Sequence, residues 1–413
     1  MKEKIFGWLD KSTEIIIDLE TGLTKHPAVS PESGGEGELD KCLFLQDWLR
    51  SHGITQIERY DAPDKRAKGG IRPSLVATIE GNNNDNRLWV LSHMDIVPPG
   101  EDKLWQSDPW TCVKTDSPKG IKLTGRGVED NQQGIVSSVL ASLAFKELGI
   151  KPERTIKLLF ASDEEVGSVY GIEWLVKNHS ELFKKSDMVL VPDGGDIKGE
   201  YIEIAEKNII WMRLATSGKQ AHASMPDLGA NAFIAGSDLA VRLYNELSSK
   251  FGERDPLFDP DYSTFQPTKK EANVPNINTI PGEDVFYMDM RVLPRYCPDV
   301  ILTEVDRIKT EIEKKYRVTV SYTLSQKMVS KPTDVNAPIV RLLTKAAGEV
   351  YGVKTHPVGI GGGTMAASLR NIGIDCAVWT KTDETLHQPN EYVLVDNIIG
   401  DAKVISLLAM NIE

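Results

Sequence analysis

Cysteine is scarce. Only four are spread over 413 residues (Cys42, Cys112, Cys297 and Cys376), and no two form a Cys-x-x-Cys pair. This excludes a disulfide framework and a cysteine-based zinc site, and predicts reduced thiols in a cytosolic protein. Long apolar runs are missing as well; none approaches the ~18 residues of a membrane span. The N-terminal stretch MKEKIFGWLDKSTEIIIDLE is charged throughout, so it lacks the apolar core of a signal peptide. Ile5, Phe6, Leu9 and Ile16 fall instead at near-helical spacing and predict an amphipathic helix. Basic residues are in deficit: 48 Lys and Arg against 60 Asp and Glu leave a net charge of −12. That balance excludes nucleic acid and anionic membrane as main partners. With 40% hydrophobic and 26% charged residues, the composition is that of a globular protein and not of a disordered chain. At roughly 150 residues per domain, the length predicts a cytoplasmic globule of two or three domains.

The first half alternates between two periodicities. Apolar, β-rich runs occupy 74–81 (SLVATIEG), 87–97, 155–165 and 187–195. Between them, 134–149 carries Ile135, Val136, Val139, Leu140, Leu143 and Leu148 at helical spacing, and 173–178 reads as helical too. Runs apolar on both faces and separated by helices predict an α/β fold, a mainly parallel sheet covered on both sides. From 207 the pattern changes. An alternating strand (207–218), a helix (230–247), a turn-rich stretch (251–275), a strand (284–293), a helix (298–315) and a strand (317–324) predict a small α+β domain. The earlier pattern then returns with a helix at 338–351 and a strand at 375–380. The expected organisation is a main domain of 1–206 and 326–413 with an inserted domain of 207–325.

Polar residues gather at the predicted strand ends. The run 87–97 carries His93 and Asp95, the next ends in Asp163, Glu164 and Glu165, and the next in Asp193. Ligands bind outside the C-terminal edge of an open parallel sheet, so three strands would deliver acids and a histidine to one place. Unpaired, such carboxylates repel strongly in a low-dielectric cleft. A divalent metal is the economical counter-charge, and His with carboxylate suits Zn²⁺, Mn²⁺ or Co²⁺. Any one of these acids serves equally well as a helix cap or surface acid; only the set implies a site.

With these residues in view, the sequence resembles the two-metal hydrolase family that includes succinyl-diaminopimelate desuccinylase, acetylornithine deacetylase, aminoacylase, glutamate carboxypeptidase and several di- and tripeptidases. The likeness runs through HPAVSPESGGEGE (26–38), SHMDIVPPG (92–100), GRGVEDNQQG (125–134), SDEEVGS (162–168) and VPDGG (191–195). It continues through SGKQAHASMPDLGANA (217–232), NTIPG (278–282) and TLHQPNEYV (385–393).

The resemblance implies roles. His93 and Asp193 would bind one metal, Glu165 and His387 the other, and Asp130 would bridge them. Asp95 would hydrogen-bond the far nitrogen of His93 and fix its tautomer. Glu164 would be the general base for the attacking water and then protonate the departing amine. His222, in the inserted domain, would reach across a dimer interface to the oxyanion of the tetrahedral intermediate. Asn278 and Arg291 would bind the substrate carboxylate, Arg291 through its planar fork. Gly362 and Gly363, in the run 361–364, would lie close to the substrate. The inserted domain, expected to be ferredoxin-like, would serve as lid and dimer interface.

Together these imply hydrolysis of the amide bond of a small N-acyl amino acid or short peptide with a free carboxylate, by a homodimer holding two divalent ions, Zn before Co or Mn. The competing expectation from another class is a non-catalytic scaffold, which would have lost a ligand or the base; all are present. This chain has Gln132 or Gln133 where the family often has Lys, and Met365 where it often has an acid. Asp193, in place of the Glu of several acylases, leans toward peptide substrates. Asp259, Asp261 and Ser263 mimic an EF-hand loop, but the twelfth position is Lys270 and the central glycine is missing. The glycine run at 361 lacks the Lys-Ser/Thr of a phosphate loop.

Overall fold

The computed structural model describes residues 1–410. The described chain forms two compact units: residues 1–204, 333–358 and 364–410 make one, and 205–332 with 359–363 make the other.

The first unit is built on a mixed sheet of eight strands. Their order is Ile57–Pro63, Ile71–Ile79, Arg154–Ala161, Asn83–His93, Met188–Asp196, Cys376–Lys381, Tyr201–Glu206 and His356–Ile360. The middle four run parallel, and antiparallel strands flank them. Strand Asn83–His93 shows why this block is central: Leu88, Trp89, Val90 and Leu91 are all buried, so both of its faces are covered. On one face, Trp89 and Leu91 pack with Leu159, Val189, Val191 and Val378 against residues of helices Ile172–Asn178 and Ala366–Asn371. Helix Gln133–Glu147 also packs on these strands, and helix Val395–Met410 packs on it. It was expected to show one apolar stripe. It is buried all round, from Gln133 to Phe145, as suits a helix enclosed between other elements. The N-terminal segment forms two helices, Lys2–Leu9 and Thr13–Thr24, where one was expected. A small sheet of Val113–Ser117, Gly120–Thr124 and Tyr392–Leu394 went unforeseen.

The second unit carries a four-stranded antiparallel sheet in the order Thr264–Lys270, Glu283–Val292, Asn208–Ser217, Thr319–Met328. With helices Ala232–Lys250 and Pro298–Tyr316, its chain order is β-α-β-β-α-β, the ferredoxin-like arrangement. Each helix buries one stripe: Ala235, Leu239, Leu243 and Leu247 from the first, Ile301, Val305, Ile308 and Ile312 from the second. The first helix starts at Asn231, whose side chain accepts from Phe233 N and Ile234 N at 3.1 and 3.2 Å. The second starts with Pro298 and ends where Arg317 turns left-handed at φ 54°.

The strand Thr264–Lys270 falls inside the stretch read as turns. Its sequence TFQPTKK holds a proline at an irregularity between Pro267 and Lys269, and it lies at the sheet edge, where proline is tolerated. Only Phe265 of this strand is fully buried. Among the described residues no helix is long and apolar enough to cross a membrane.

Phe265 therefore anchors an otherwise exposed strand. Phe265→Ala is expected to cost about 3–5 kcal/mol, whereas Gln266→Ala, on the exposed side, should stay within about 0.5 kcal/mol. Urea midpoints of the full chain separate the two.

Candidate metal centre

The four parallel strands point their C-terminal ends the same way, and each feeds the site. Asn83–His93 ends on His93, in register with Ala161 of the neighbouring strand. Arg154–Ala161 runs into Asp163, Glu164 and Glu165, Met188–Asp196 carries Asp193, and the segment after Cys376–Lys381 carries His387. Asp130 sits just before helix Gln133–Glu147, and the peptide between Asp130 and Asn131 is cis.

These residues converge. Asp130 holds its two carboxylate oxygens toward two histidines: Oδ1 lies 3.0 Å from His93 Nε2 and Oδ2 lies 3.0 Å from His387 Nε2. His93 Nε2 is also 3.3 Å from Asp193 Oδ1, and His387 Nε2 is 3.2 Å from Glu165 Oε2. Ligand atoms of His93, Asp130 and Glu165 lie within 4.8 Å of one another, as do those of His93, Glu164 and Asp193. His93 is buried, whereas the His387 side chain is 49% exposed.

Asp95 meets the far nitrogen of His93 and also reaches beyond it. His93 Nδ1 lies 2.9 Å from the backbone carbonyl of Asp95 and 3.6 Å from its carboxylate. The carbonyl thus fixes the ring, leaving Nε2 to face the acids. The carboxylate also accepts from the backbone N–H groups of Glu164 and Glu165, each at 3.0 Å. Asp95 is fully buried and holds the turn that presents the paired glutamates. That turn starts with Asp163 in the left-handed region at φ 70°. Three more non-glycine residues adopt this conformation near His387: Glu384, His387 itself and Asn390. Such residues cost about 1–3 kcal/mol each and persist where their surroundings hold them. Asp163 is held by Arg72 at 3.1 Å and by Tyr170 N at 2.8 Å. Asn390 is held by Gln106 N at 2.7 Å and by Leu104 O at 2.9 Å.

The electrostatics follow from crowding acids out of water. Burial, then the charge of Asp193, pushes the Glu164 carboxyl well above the carboxylate range. Burial and Asp130 push Glu165 up to about 7, and burial raises Asp193 against the pull of His93. Burial would raise Asp130 too, but hydrogen bonds from His387 and His93 hold it below the usual range. His387 is raised to about 10 by Asp130 and Glu165. Without a cation, the cluster must keep protons to stay neutral enough to remain buried.

A divalent cation fits this donor set. Imidazole nitrogen and carboxylate oxygen are the ligands of Zn²⁺, Co²⁺ and Mn²⁺. Glu165 Oε1 is buried with no hydrogen-bond partner, a lone-pair donor still to be satisfied.

Sequence reasoning left several supporting residues without a role. Asn131 donates to Pro192 O at 2.6 Å and to Asp193 Oδ1 at 2.8 Å, so it aims that carboxylate. Glu38 grips fully buried Arg72, whose Nε lies 2.6 Å from Glu38 Oε2. Gln132, Gln133 and Met365, the departures from the family pattern, are all buried. Gln133 donates to Thr380, Lys381 O and Asp401, and Thr24 donates to Gln132.

The remaining expected residues lie in the second unit. His222 is exposed on a two-stranded ribbon with Thr279, and Ala223 N donates to Asn278 O at 2.9 Å, so His222 and Asn278 are neighbours. Ser224 N donates to His222 Nδ1 at 3.2 Å, which leaves the neutral ring's proton on Nε2. The Arg291 fork is partly committed within its own unit. Its Nε and one terminal nitrogen hold Asp289 at 2.9 and 3.0 Å, and its other nitrogen donates to Gly361 O at 2.9 Å. A Cβ on Gly363 would lie 2.5 Å from Met328, whereas one on Gly362 would meet only Ile360, at 3.8 Å.

The chain is similar to known proteins. Peptidase family M20/M25/M40 matches residues 89–411. An uncharacterized metallohydrolase of Methanococcus maripaludis is 38% identical over 406 residues, covering 94% of this chain and 97% of that one. A succinyl-diaminopimelate desuccinylase of Nitratiruptor is 26% identical over 386 residues, with 91% and 94% covered. In structure, aminopeptidase PepT of Bacillus cereus superposes with a TM-score of 0.76 at 18% identity, covering 96% of this chain and 98% of that one. The chain is a metal-dependent C–N bond hydrolase and belongs to peptidase family M20/M25/M40.

Proposed function

We propose that the protein hydrolyses the amide bond of a small N-acyl amino acid or short peptide bearing a free carboxylate, using two divalent ions, preferentially Zn²⁺. The observation that carries this reading is Asp130, whose two oxygens face two histidines at 3.0 Å each, with one further acid beside each histidine. His93 and Asp193 would hold one ion, Glu165 and His387 the other, and Asp130 both. Bound there, the ions would polarise the scissile carbonyl and acidify the attacking water.

Glu164 is the acid left over once the ligands are assigned. Its oxygen lies within 4.8 Å of ligand atoms of both His93 and Asp193. Its raised proton affinity suits a group that takes a proton from water at Oε and hands it to the departing amine. We assign His222 to the oxyanion: its Nε2–H is a donor, oriented by Ser224. Arg291 would bind the substrate carboxylate with the N–H groups that Asp289 and Gly361 leave uncommitted, and Asn278, Gly362 and Gly363 would border it. For the homodimer, the support is helix Ala232–Lys250, which exposes Phe233, Ile234, Val241 and Tyr244 beside a sheet edge. The four free cysteines suit a reducing cytoplasm.

Activity of the metal-loaded protein on N-succinyl-diaminopimelate, N-acetyl amino acids and dipeptides tests the reading; failure on all three would overturn it. Glu164→Gln should lower kcat by about 10²–10⁴ while elemental analysis finds the metal content unchanged. Retention of most activity would remove Glu164 from the role of base. Metal affinity should also rise with pH. Glu165, at about 7, is largely protonated at pH 6 and largely free of its proton at pH 8, while His387, at about 10, holds a proton at both. Zn²⁺ must displace these protons, so affinity should strengthen by roughly a hundredfold or more between pH 6 and 8, with protons released. Titration calorimetry in buffers of different ionisation heat measures both.

A further inference from the structure

Two buried acids of the first unit take no part in the chemistry above, yet each grips the other's loop. Glu391, four residues beyond His387, is fully buried. Its carboxylate accepts from Gly127 N at 3.0 Å, Glu129 N at 2.9 Å and Asp130 N at 3.0 Å, and pairs with buried Arg126 at 2.6 Å. Four donors fill both oxygens, and three of them are backbone groups of the loop that ends on Asp130. Glu129, beside Asp130, points the opposite way in the chain. Its carboxylate accepts from Asp383 N and Thr385 N at 2.5 Å each and from Thr385 Oγ1 at 2.7 Å, just before His387.

Resting on the two-ion reading, we propose that Glu129 and Glu391 are positioning residues that clasp the Asp130 and His387 loops to each other and thereby set the affinity of the ion shared by Asp130, Glu165 and His387. The physical need is plain. His387 is half exposed and held in a left-handed conformation, on a segment without helix or strand from Thr382 to Glu391. Nothing in regular secondary structure fixes its 3.0 Å approach to Asp130. Backbone N–H groups bound to a buried carboxylate make strong, directional bonds, and metal affinity is sensitive to such supporting contacts, typically by 10–100-fold. The two arms differ in reach. Glu129 holds only the His387 loop, whereas Glu391 holds the backbone of Asp130, which serves both ions.

The test is Zn²⁺ titration of the full chain and its variants, read as stoichiometry and the two dissociation constants. Wild type should bind two ions. Glu129→Ala should bind one ion as wild type does and the other at least tenfold more weakly. Glu391→Ala should weaken both. Glu129→Gln keeps an acceptor oxygen and should recover part of the loss, which keeps the test open should Glu391→Ala fail to fold. Leu343→Ala, which opens a buried position in helix Pro338–Tyr351, should lower the urea midpoint yet leave both constants unchanged. In a His387→Ala background, Glu129→Ala should have no further effect on the remaining ion. Unchanged binding in Glu129→Ala, or equal loss of both ions, would overturn the clasp while the two-ion reading stood. Fewer than two ions in wild type would overturn both.

Discussion

Repulsion among buried carboxylates is the constraint on which this structure turns. Asp130, Glu164, Glu165 and Asp193 crowd one sheet edge with Asp95 behind them, and burial favours the neutral form of Glu164, Glu165 and Asp193. Histidines can balance only part of that charge. A fold that keeps so many acids together out of water, without spending them on arginines at the same point, is organised around an incoming cation.

The cations the chain does own stand one step back. Arg72 and Arg126 are buried and hold Glu38 and Glu391, while Asp163 leans on Arg72. Lys41 is fully buried as well, and burial lowers it to about 8. The two arginines tie down the acids that position the turns and leave the front acids without an arginine or lysine partner. The division explains why the backbone can hold left-handed residues at Asp163 and His387: each lies in a loop pinned by ionic and backbone bonds. Structure and chemistry here draw on one network.

Much of this was legible in the sequence because parallel-strand topology converts strand ends into neighbours. His93, Glu164, Glu165 and Asp193 follow from that rule alone. Asp130 and His387 do not, since both lie in loops whose course no periodicity reveals; only the family resemblance pointed to them. The carbonyl of Asp95 on His93 and its carboxylate under the Glu164–Glu165 turn could not be read, because only the backbone path decides them. Glu129 and Glu391 carried a signal that went unused: acids inside motifs, next to assigned ligands, with no role of their own. Strand Thr264–Lys270 was hidden by its proline and lysines, the residues that an edge strand tolerates and a central strand does not.

The central claim, that this sheet edge is a two-cation site with Asp130 between the ions, is open to direct observation. Crystals of the zinc-loaded protein, measured on both sides of the zinc absorption edge, would show the ions by their anomalous scattering alone. The account predicts two peaks, one beside His93 and Asp193 and one beside Glu165 and His387, each within coordination distance of a different Asp130 oxygen. A single peak, or two peaks with Asp130 touching only one, would contradict it.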